Sequence, residues 1–134
     1  MTTIYIALPI TGRGYNDVVL EIFNRKSRLE GIGYKVIHPM TGKSYLRTEK
    51  EFKPGGYTTP TSTNHAIYER DQWMVRQCDI ILLDFTNCKT CPTGMTMELA
   101  WASLLGKHSI LIMPADSPYR HAFILELLCP TAMT

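Results

Sequence analysis

The 134-residue sequence has no long apolar run and no strong excess of charge of either sign. A membrane-spanning helix needs roughly 20 consecutive apolar residues, and no stretch of the chain approaches that length. The net charge is only +2, so the clustered basic face of a nucleic-acid-binding protein is not expected. The sequence therefore predicts neither a membrane protein nor a binder of nucleic-acid polymers, and small molecules are the expected ligands.

A secretory signal is also missing from the sequence. The first residues enter an apolar strand pattern without the basic region and apolar core of such a signal, so a cytoplasmic location is expected. The composition is ordinary for a globular protein, with 45% hydrophobic and 19% charged residues. A chain of this length suits one compact domain with little room for a second, and we predict a single domain over residues 1–134.

Cysteine is scarce, and the four residues do not form a zinc-binding pattern. Cys88 and Cys91 make one CxxC pair, but no second pair and no spaced histidine pair accompanies it. Thiols in a reducing compartment stay reduced unless they are functional, so plain thiols are favoured, with a redox pair and a metal site as alternatives. Cys78 and Cys129 are expected to pack as small apolar groups. We predict no metal site.

Strand and helix patterns alternate along the chain, which is typical of a parallel sheet with helices on both faces. Strands are predicted at residues 3–8, 34–38, 79–85 and 108–113. The first predicted helix begins at a cap formed by Asn16 or Asp17, and the second begins at Ser62 or Thr63. The third begins just before Glu98, so that this residue lies in its first turn. The last is predicted over residues 119–128. Right-handed crossovers favour strand order 2-1-3-4, with a fifth edge strand absent or very short. The predicted fold is a flavodoxin-like, Rossmann-like three-layer α/β sandwich.

Residues 40–61 show neither the helical period nor the alternation of a strand. Glycine, proline, lysine and tyrosine mix there without a repeat, and a loop this long inside a compact domain is uncommon unless it has a function. We interpret the segment either as a lid over a site or as a surface excursion, with a short helical turn around residues 46–52. Its basic residues would then face either a phosphate group or solvent; they are Lys43, Arg47, Lys50 and Lys53.

The loop after the first predicted strand combines glycines with a cationic side chain. Ile10 and Thr11 are followed by Gly12, Arg13 and Gly14. Backbone amides in such a loop can turn towards an anion, and a guanidinium can hold a phosphate in a fork. Neither the P-loop nor the dinucleotide-binding pattern is present, so the loop is predicted either to bind phosphate or only to form a turn.

Two acidic residues lie next to the strand predicted at residues 79–85. Ligands of open α/β sheets bind beyond the carboxyl ends of the strands, and Glu98 follows that strand and its loop. Asp71 lies in the helix before the strand, and Tyr5 lies inside the first strand. Each has an ordinary alternative role: a carboxylate at a helix start is favoured by the dipole, Asp71 could lie on a solvated helix face, and Tyr5 could fill the core.

Taken together, these residues resemble the nucleoside 2-deoxyribosyltransferase family, including its relatives that hydrolyse deoxynucleoside 5'-monophosphates. The matching segments are Ile4-Tyr5-Ile6, Ile67-Tyr68-Glu69-Arg70-Asp71, Cys78-Asp79-Ile80-Ile81-Leu82-Leu83-Asp84 and Gly94-Met95-Thr96-Met97-Glu98-Leu99-Ala100-Trp101-Ala102. The Gly-x-x-x-Glu-Leu element, followed by Gly106-Lys107 and an apolar strand, is the most specific of them. The chain departs from the family at Thr96, where members often have glycine, and at Cys91 to Thr93, where they often have an acid or a serine.

The resemblance implies that Glu98 is the nucleophile that attacks the anomeric carbon of the sugar. It further implies that Asp71 exchanges a proton with the nucleobase and that the phenol of Tyr5 orients Glu98. Two carboxylates that flank a glycosidic bond can run a double displacement through a covalent glycosyl ester. The substrate-binding residues are then expected in the loops at the same edge of the sheet, at Ile10, Gly12, Arg13, Gly14, Asp84, Thr93, Gly94 and Met95.

The implied activity is transfer of a 2-deoxyribosyl group from one nucleobase to another by at least a homodimer, without a metal or organic cofactor. The implied partners are a nucleoside or nucleotide substrate and a free nucleobase. Two alternatives stay open. The ester could pass to water, which makes the protein a hydrolase of nucleoside 5'-monophosphates. The protein could also be a non-catalytic nucleotide-binding sensor, because one fold hosts many functions.

Overall fold

Four strands and four helices alternate along the residues that the structure describes. This structure is a computed structural model, and it describes residues 1–40, 50–53, 55–57, 60 and 63–127. The elements are β1 (Thr3–Ala7), α1 (Tyr15–Gly31), β2 (Lys35–Ile37), α2 (Asn64–Gln77), β3 (Ile80–Asp84), α3 (Thr93–Leu104), β4 (His108–Ile112) and α4 (Ala122–Glu126). The predicted alternation of strands and helices is confirmed.

The four strands form one parallel sheet in the order β2-β1-β3-β4. Tyr5 of β1 pairs with Ile37 on one side and with Ile81 on the other, and Ile81 pairs in turn with Ser109 of β4. The two central strands, β1 and β3, are therefore flanked on both sides. The predicted strand order is confirmed, and the described residues contribute no fifth strand to this sheet.

Alternation along the strands divides the core into two halves, because successive side chains of a strand point to opposite faces. Tyr5 and Leu83 lie in a cluster with Val75 of α2 and Leu99 of α3. The neighbouring residues of β1 lie in a second cluster with α1; its buried members are Ile4, Ile6, Leu8, Val18, Ile22, Val36, Met40 and Phe52. The sheet is thus sandwiched between helices, and the three-layer α/β fold is confirmed.

The starts of α1 and α2 test two predicted caps. Thr63 is the N-cap of α2, where its Oγ1 accepts a hydrogen bond from the backbone N–H of Ala66 at 3.2 Å, as predicted. The prediction for α1 was wrong, because the helix already begins at Tyr15 and its N-cap is Gly14, whose backbone is extended. Asn16 and Asp17 lie inside the first turn, where an acidic side chain also suits the helix dipole.

Helix α3 begins earlier, relative to Glu98, than the sequence predicted. The backbone N–H of Thr96 donates to the carbonyl of Pro92 at 3.0 Å, and the Thr96 hydroxyl donates to the same carbonyl at 2.9 Å. Glu98 is therefore in the second turn, and the prediction of a first-turn position was wrong.

The last helix was predicted too long, because α4 begins at Ala122 after a cap at His121; residue 128 lies outside the described residues. None of the described helices combines the length and apolar character needed to cross a membrane.

The described part of residues 40–61 is joined to the loop after β1. The backbone of Phe52 donates to the Arg13 carbonyl at 2.7 Å and accepts from the N–H of Gly12 at 2.8 Å. Phe52 and Met40 are buried in the α1 side of the core. Lys43, Arg47 and most of the helical turn predicted at residues 46–52 lie outside the described residues.

We predict that Leu83→Ala destabilises the protein by about 2–5 kcal/mol, because it leaves a cavity in the core. Leu83 is 0% exposed at the centre of the sheet. Urea unfolding followed by circular dichroism would measure the change. Leu104→Ala is the matched control, since Leu104 is 87% exposed and its truncation should cost less than about 0.5 kcal/mol. Equal unfolding midpoints for the two variants would contradict the assigned core.

Candidate active site

A cavity of about 400 Å³ opens beyond the carboxyl ends of β1, β2 and β3. Its wall comes from the loops that follow these strands, from α2 and α3, and from the segment after Phe52. The lining residues include Leu8, Ile10, Thr11, Pro39, Phe52, Lys53, Tyr57, Ile67, Asp71, Lys89, Cys91, Thr93, Gly94, Met95 and Glu98. This is the edge of an open α/β sheet at which ligands bind.

Glu98 is a buried carboxylate in the wall of this cavity. Met95, Leu99 and Ala102 pack α3 against the sheet, and Glu98 lies beside Leu99 on the same helix, at the border between the core and the cavity. Burial of a carboxylate costs free energy unless other groups compensate for the lost water. A buried acid at a cavity is therefore a candidate functional group.

Asp71 faces the same cavity from α2. Met74 and Val75, one turn later, are buried in the core and hold this face of α2 towards the sheet. Asp71 itself is half-buried, and Ile67, one turn earlier, also lines the cavity. The position of Asp71 does not support the alternative of a solvated helix face.

Tyr5 lies fully buried in β1, next to both acids. Burial raises the pKa of its phenol well above the usual value, and the negative charges of Glu98 and Asp71 raise it further. An acid with a raised pKa keeps its proton, so Tyr5 is held as a phenol that can donate to a carboxylate. Three residues that are far apart along the chain thus meet at one place.

A second, smaller cavity of about 210 Å³ adjoins the first and shares Asp71 and Glu98 with it. Two aromatic side chains from α2 and α3 line it, Tyr68 and Trp101, whose ring centroids are 5.5 Å apart with planes at 84°. The sequence analysis did not identify this cavity, because Tyr68 and Trp101 lie on different helices and meet only when these helices pack together. The signal would have been their position, three residues before Asp71 and three after Glu98.

Four of the predicted substrate-binding residues line the larger cavity, namely Ile10, Thr93, Gly94 and Met95. Gly12, Arg13 and Gly14 do not line it. Gly12 has φ 82°, a left-handed conformation that glycine adopts readily. Gly14 caps α1. These two glycines therefore have structural reasons for their presence in the loop.

The charged groups of Arg13 and Asp84 have partners inside the protein. Arg13 is buried, and its guanidinium donates to the carbonyl of Pro9 at 2.8 Å and pairs with Glu21 at 2.7 Å. Asp84 pairs with Arg25 of α1 and accepts from the backbone N–H of Thr86 at 2.9 Å. Alternation along β3 turns Asp84 away from Leu83 and towards α1. Both residues tie α1 to neighbouring segments and stand apart from the cavity lining.

Two lysines bring positive charge to the larger cavity, Lys53 and Lys89. Lys53 was singled out in the sequence, and its Nζ lies 4.7 Å from the ring centroid of Tyr57. Lys89 was missed, because a single lysine in a loop carries no pattern. No group of three potential metal ligands occurs in the part of the chain that the structure describes.

The cysteines within the described residues are free thiols in three different environments. Cys78 is buried, Cys88 is partly buried and Cys91 is exposed. Cys91 also lines the larger cavity. Burial raises the pKa of Cys78 and of Cys88 to about 11. Cys129 lies outside the described residues.

Comparison with solved structures shows the same fold in proteins of very different sequence. A 2-deoxyribosyltransferase from Bacillus psychrosaccharolyticus superimposes with a TM-score of 0.67 at 18% identity, over 95% of this chain and 82% of that chain. A 2-deoxyribosyltransferase from Leishmania mexicana gives 0.57 at 22% identity, over 83% of this chain but only 63% of that chain. A conserved protein from Enterococcus faecalis gives 0.58 at 17% identity, over 94% and 71%.

These similarities confirm the resemblance inferred from the motifs at the level of the fold. No family model matches the sequence, and no curated protein matches it. The chain therefore has the fold of the 2-deoxyribosyltransferases at low sequence identity.

We predict that Tyr5 stays protonated in the folded protein at pH values near 10, where an ordinary tyrosine ionises. Absorbance of the phenolate in the near ultraviolet would follow the titration. Tyr5→Phe should leave the change in phenolate absorbance of the folded protein unchanged. The signal of one phenolate should be lost only when the titration is repeated on protein unfolded in denaturant. A lower amplitude in folded Tyr5→Phe would show that the phenol ionises freely.

We predict that Cys91 reacts with a maleimide at near-neutral pH well before Cys88. The thiolate is the nucleophile, and a pKa of about 11 leaves very little thiolate at Cys88. Peptide mapping by mass spectrometry over a time course would give both rates, with Cys91→Ser as the control. Raising the pH towards 11 should speed labelling of Cys88, and equal rates at neutral pH would contradict the assigned environments.

Proposed function

We propose that the protein breaks the N-glycosidic bond of 2'-deoxynucleosides and transfers the deoxyribosyl group to another nucleobase. The observation that supports this most is that Glu98 and Asp71 line one cavity, with the buried phenol of Tyr5 coupled to both. Two neighbours that share the fold are named as 2-deoxyribosyltransferases.

In the first step of the proposed reaction, a carboxylate oxygen of Glu98 attacks the anomeric carbon of the sugar. The bond between this carbon and the base nitrogen breaks, and its electron pair goes to the base. Asp71 supplies the proton that the departing base takes up. The phenol of Tyr5 donates towards Glu98 and holds the carboxylate in place, and its raised pKa keeps the necessary proton on the phenol.

The second step reverses the first with a different base. A ring nitrogen of the incoming base attacks the anomeric carbon, Glu98 leaves as a carboxylate, and Asp71 takes the proton from the base. Two displacements at one carbon retain its configuration. Carboxylates and a phenol supply all the groups that these steps use, so the proposal includes no metal or organic cofactor.

A second candidate function is hydrolysis of a nucleoside 5'-monophosphate, in which water takes the place of the second base. Lys53 and Lys89 in the cavity wall favour this candidate, because an ammonium group binds a phosphate through charge-assisted hydrogen bonds. The product would be a free base and a sugar 5-phosphate. The choice between the candidates depends on what reaches the glycosyl ester first.

We further propose that the chain forms a homo-oligomer. Two large apolar side chains, Leu20 and Phe23, remain exposed three residues apart on α1, so they are neighbours on the surface of this helix. Exposed apolar surface of this kind is typical of contacts between proteins when it is contiguous. The cytoplasmic location and the single-domain organisation stay predictions from the sequence.

The test is to incubate the purified protein with deoxynucleosides or their 5'-monophosphates, with and without a different free base, and to separate the products by chromatography. Glu98→Gln should lower the rate by about 10³-fold or more, because it removes the nucleophile. Glu69→Gln is the matched control, since Glu69 is exposed on α2 and pairs with His65, itself exposed, at 3.8 Å. Its rate should stay within about twofold of wild type, as expected for a surface change.

The products decide between the candidates. An exchanged nucleoside supports the transferase, and free base with sugar phosphate supports the hydrolase. Binding of nucleotide without any product would support the sensor and overturn both enzymes. Full activity of Glu98→Gln would overturn the assignment of the nucleophile.

A further inference from the structure

We propose that Cys88 and Cys91 form a redox-modification site, at which a hydroperoxide oxidises the two thiols to a disulfide beside the larger cavity. Both residues belong to the loop between β3 and α3, and the proposed glycosyl transfer uses neither of them. The substrate of this site is a peroxide, so its reaction does not depend on the catalytic roles of Glu98 and Asp71.

The spacing of the cysteines and the path of the loop favour a bond between the two sulfurs. Lys89 and Thr90 separate the cysteines, which gives the CxxC spacing of reactive dithiols. The backbone bends at both of these residues, so the loop turns back between the thiols. A disulfide requires that its two Cα atoms lie within about 7 Å of each other, and a bent segment satisfies this more readily than an extended one.

The two thiols differ in their access to solvent. Cys91 is exposed and lines the larger cavity, and the hydroxyl of Thr93 donates to its Sγ at 3.7 Å. Cys88 is partly buried and packs against the half of the core that contains α2 and α3. Burial raises the pKa of the Cys88 thiol to about 11, and the charges of Asp84 and Cys91 add to this increase, so the two sulfurs lie within range of each other's charge. A peroxide therefore meets Cys91 first, while Cys88 stays reduced nearby.

A metal site is the other use of a CxxC pair, and it has less support. Two thiolates need further ligands to hold a zinc ion in its usual tetrahedral geometry. No group of three potential ligands occurs within the described ranges of the chain. Within these ranges, the pair therefore suits oxidation to a disulfide better than it suits metal binding.

The proposed reaction has two steps. The sulfur of Cys91 attacks one oxygen of hydrogen peroxide, an S–O bond forms and the O–O bond breaks, and the other oxygen leaves as water with the thiol proton. The sulfur of Cys88 then attacks the sulfenic acid of Cys91, an S–S bond forms, and the hydroxyl leaves as water with the proton of the second thiol. Two thiols and one peroxide thus give one disulfide and two waters.

The disulfide changes the chemistry of the cavity wall. The loop contributes Lys89, Thr90, Cys91 and Pro92 to this wall, directly before the first turn of α3. Once its sulfur is bonded to Cys88, Cys91 no longer presents a nucleophile there. Because a disulfide is reversible whereas a sulfinic acid is not, the nearby thiol of Cys88 protects Cys91 from permanent damage.

Mass spectrometry can test the site on the purified, reduced protein. Hydrogen peroxide at neutral pH should give one product that lacks two hydrogen atoms, and peptide mapping should locate a disulfide between Cys88 and Cys91. This product should not react with a maleimide at Cys91. Dithiothreitol should restore both the original mass and the labelling.

Two serine variants separate the steps. Cys88→Ser should stop at the sulfenic acid of Cys91, which dimedone traps. Cys91→Ser should slow the oxidation of Cys88 by at least about tenfold relative to wild type, because a thiol with a pKa of about 11 provides little thiolate at neutral pH. Cys78→Ala is the matched control, since Cys78 is buried and its Sγ donates to the Val75 carbonyl at 3.2 Å; it should change neither the rate nor the product. Circular dichroism melting would confirm that each variant folds.

The outcomes separate this site from the proposed function. Oxidation of Cys91 to a sulfinic acid without a disulfide in the wild type would overturn the site. A main product that joins Cys91 to Cys129 or to a second chain would overturn it too, as would an unchanged rate of oxidation in Cys91→Ser. A reversible bond between Cys88 and Cys91 in a protein that turns over no nucleoside or nucleotide would support the site and overturn the proposed enzyme.

Discussion

The buried contact region between Tyr5 and the acids Glu98 and Asp71 is the constraint on which the site depends. β1, α2 and α3 each supply one of these residues, and all three elements pack in the same half of the core. Because the phenol lies under the acids without access to solvent, burial and the two negative charges both keep its proton in place. The arrangement of the sheet therefore also keeps the Tyr5 phenol protonated.

Because side chains alternate along the central strands, polar residues of these strands lie on opposite faces of the sheet and have different roles. Tyr5 and Asp84 both lie on strands at the centre of the sheet, but they point to opposite faces. Asp84 pairs with Arg25 of α1, and Arg13 pairs with Glu21 of the same helix. The charges on the α1 side stabilise the scaffold, whereas the acids on the α2 and α3 side face the cavity.

Local patterns in the sequence were enough to predict the strand order, the layering and a cap at Ser62 or Thr63. They did not give the start of α1, because Asn16 and Asp17 both satisfy the capping rule, whereas the preceding loop enters the helix earlier, after Gly14. The roles of Arg13 and Asp84 depend on partners that lie elsewhere in the chain. Their residue types therefore suggested ligand binding, whereas in the structure both form ion pairs within the protein. The contact between Tyr68 and Trp101 arises only when α2 packs against α3, and no local period reports it.

Phe52 and Gly56 form backbone hydrogen bonds with two different walls of the cavity. Phe52 bonds to the loop after β1, and the backbone of Gly56 donates to Asn64 at the start of α2. Lys53, Gly55 and Tyr57 line the cavity without belonging to the sheet or its helices. Substitutions at these positions can change what the cavity binds while Asp71 and Glu98 keep their positions on α2 and α3.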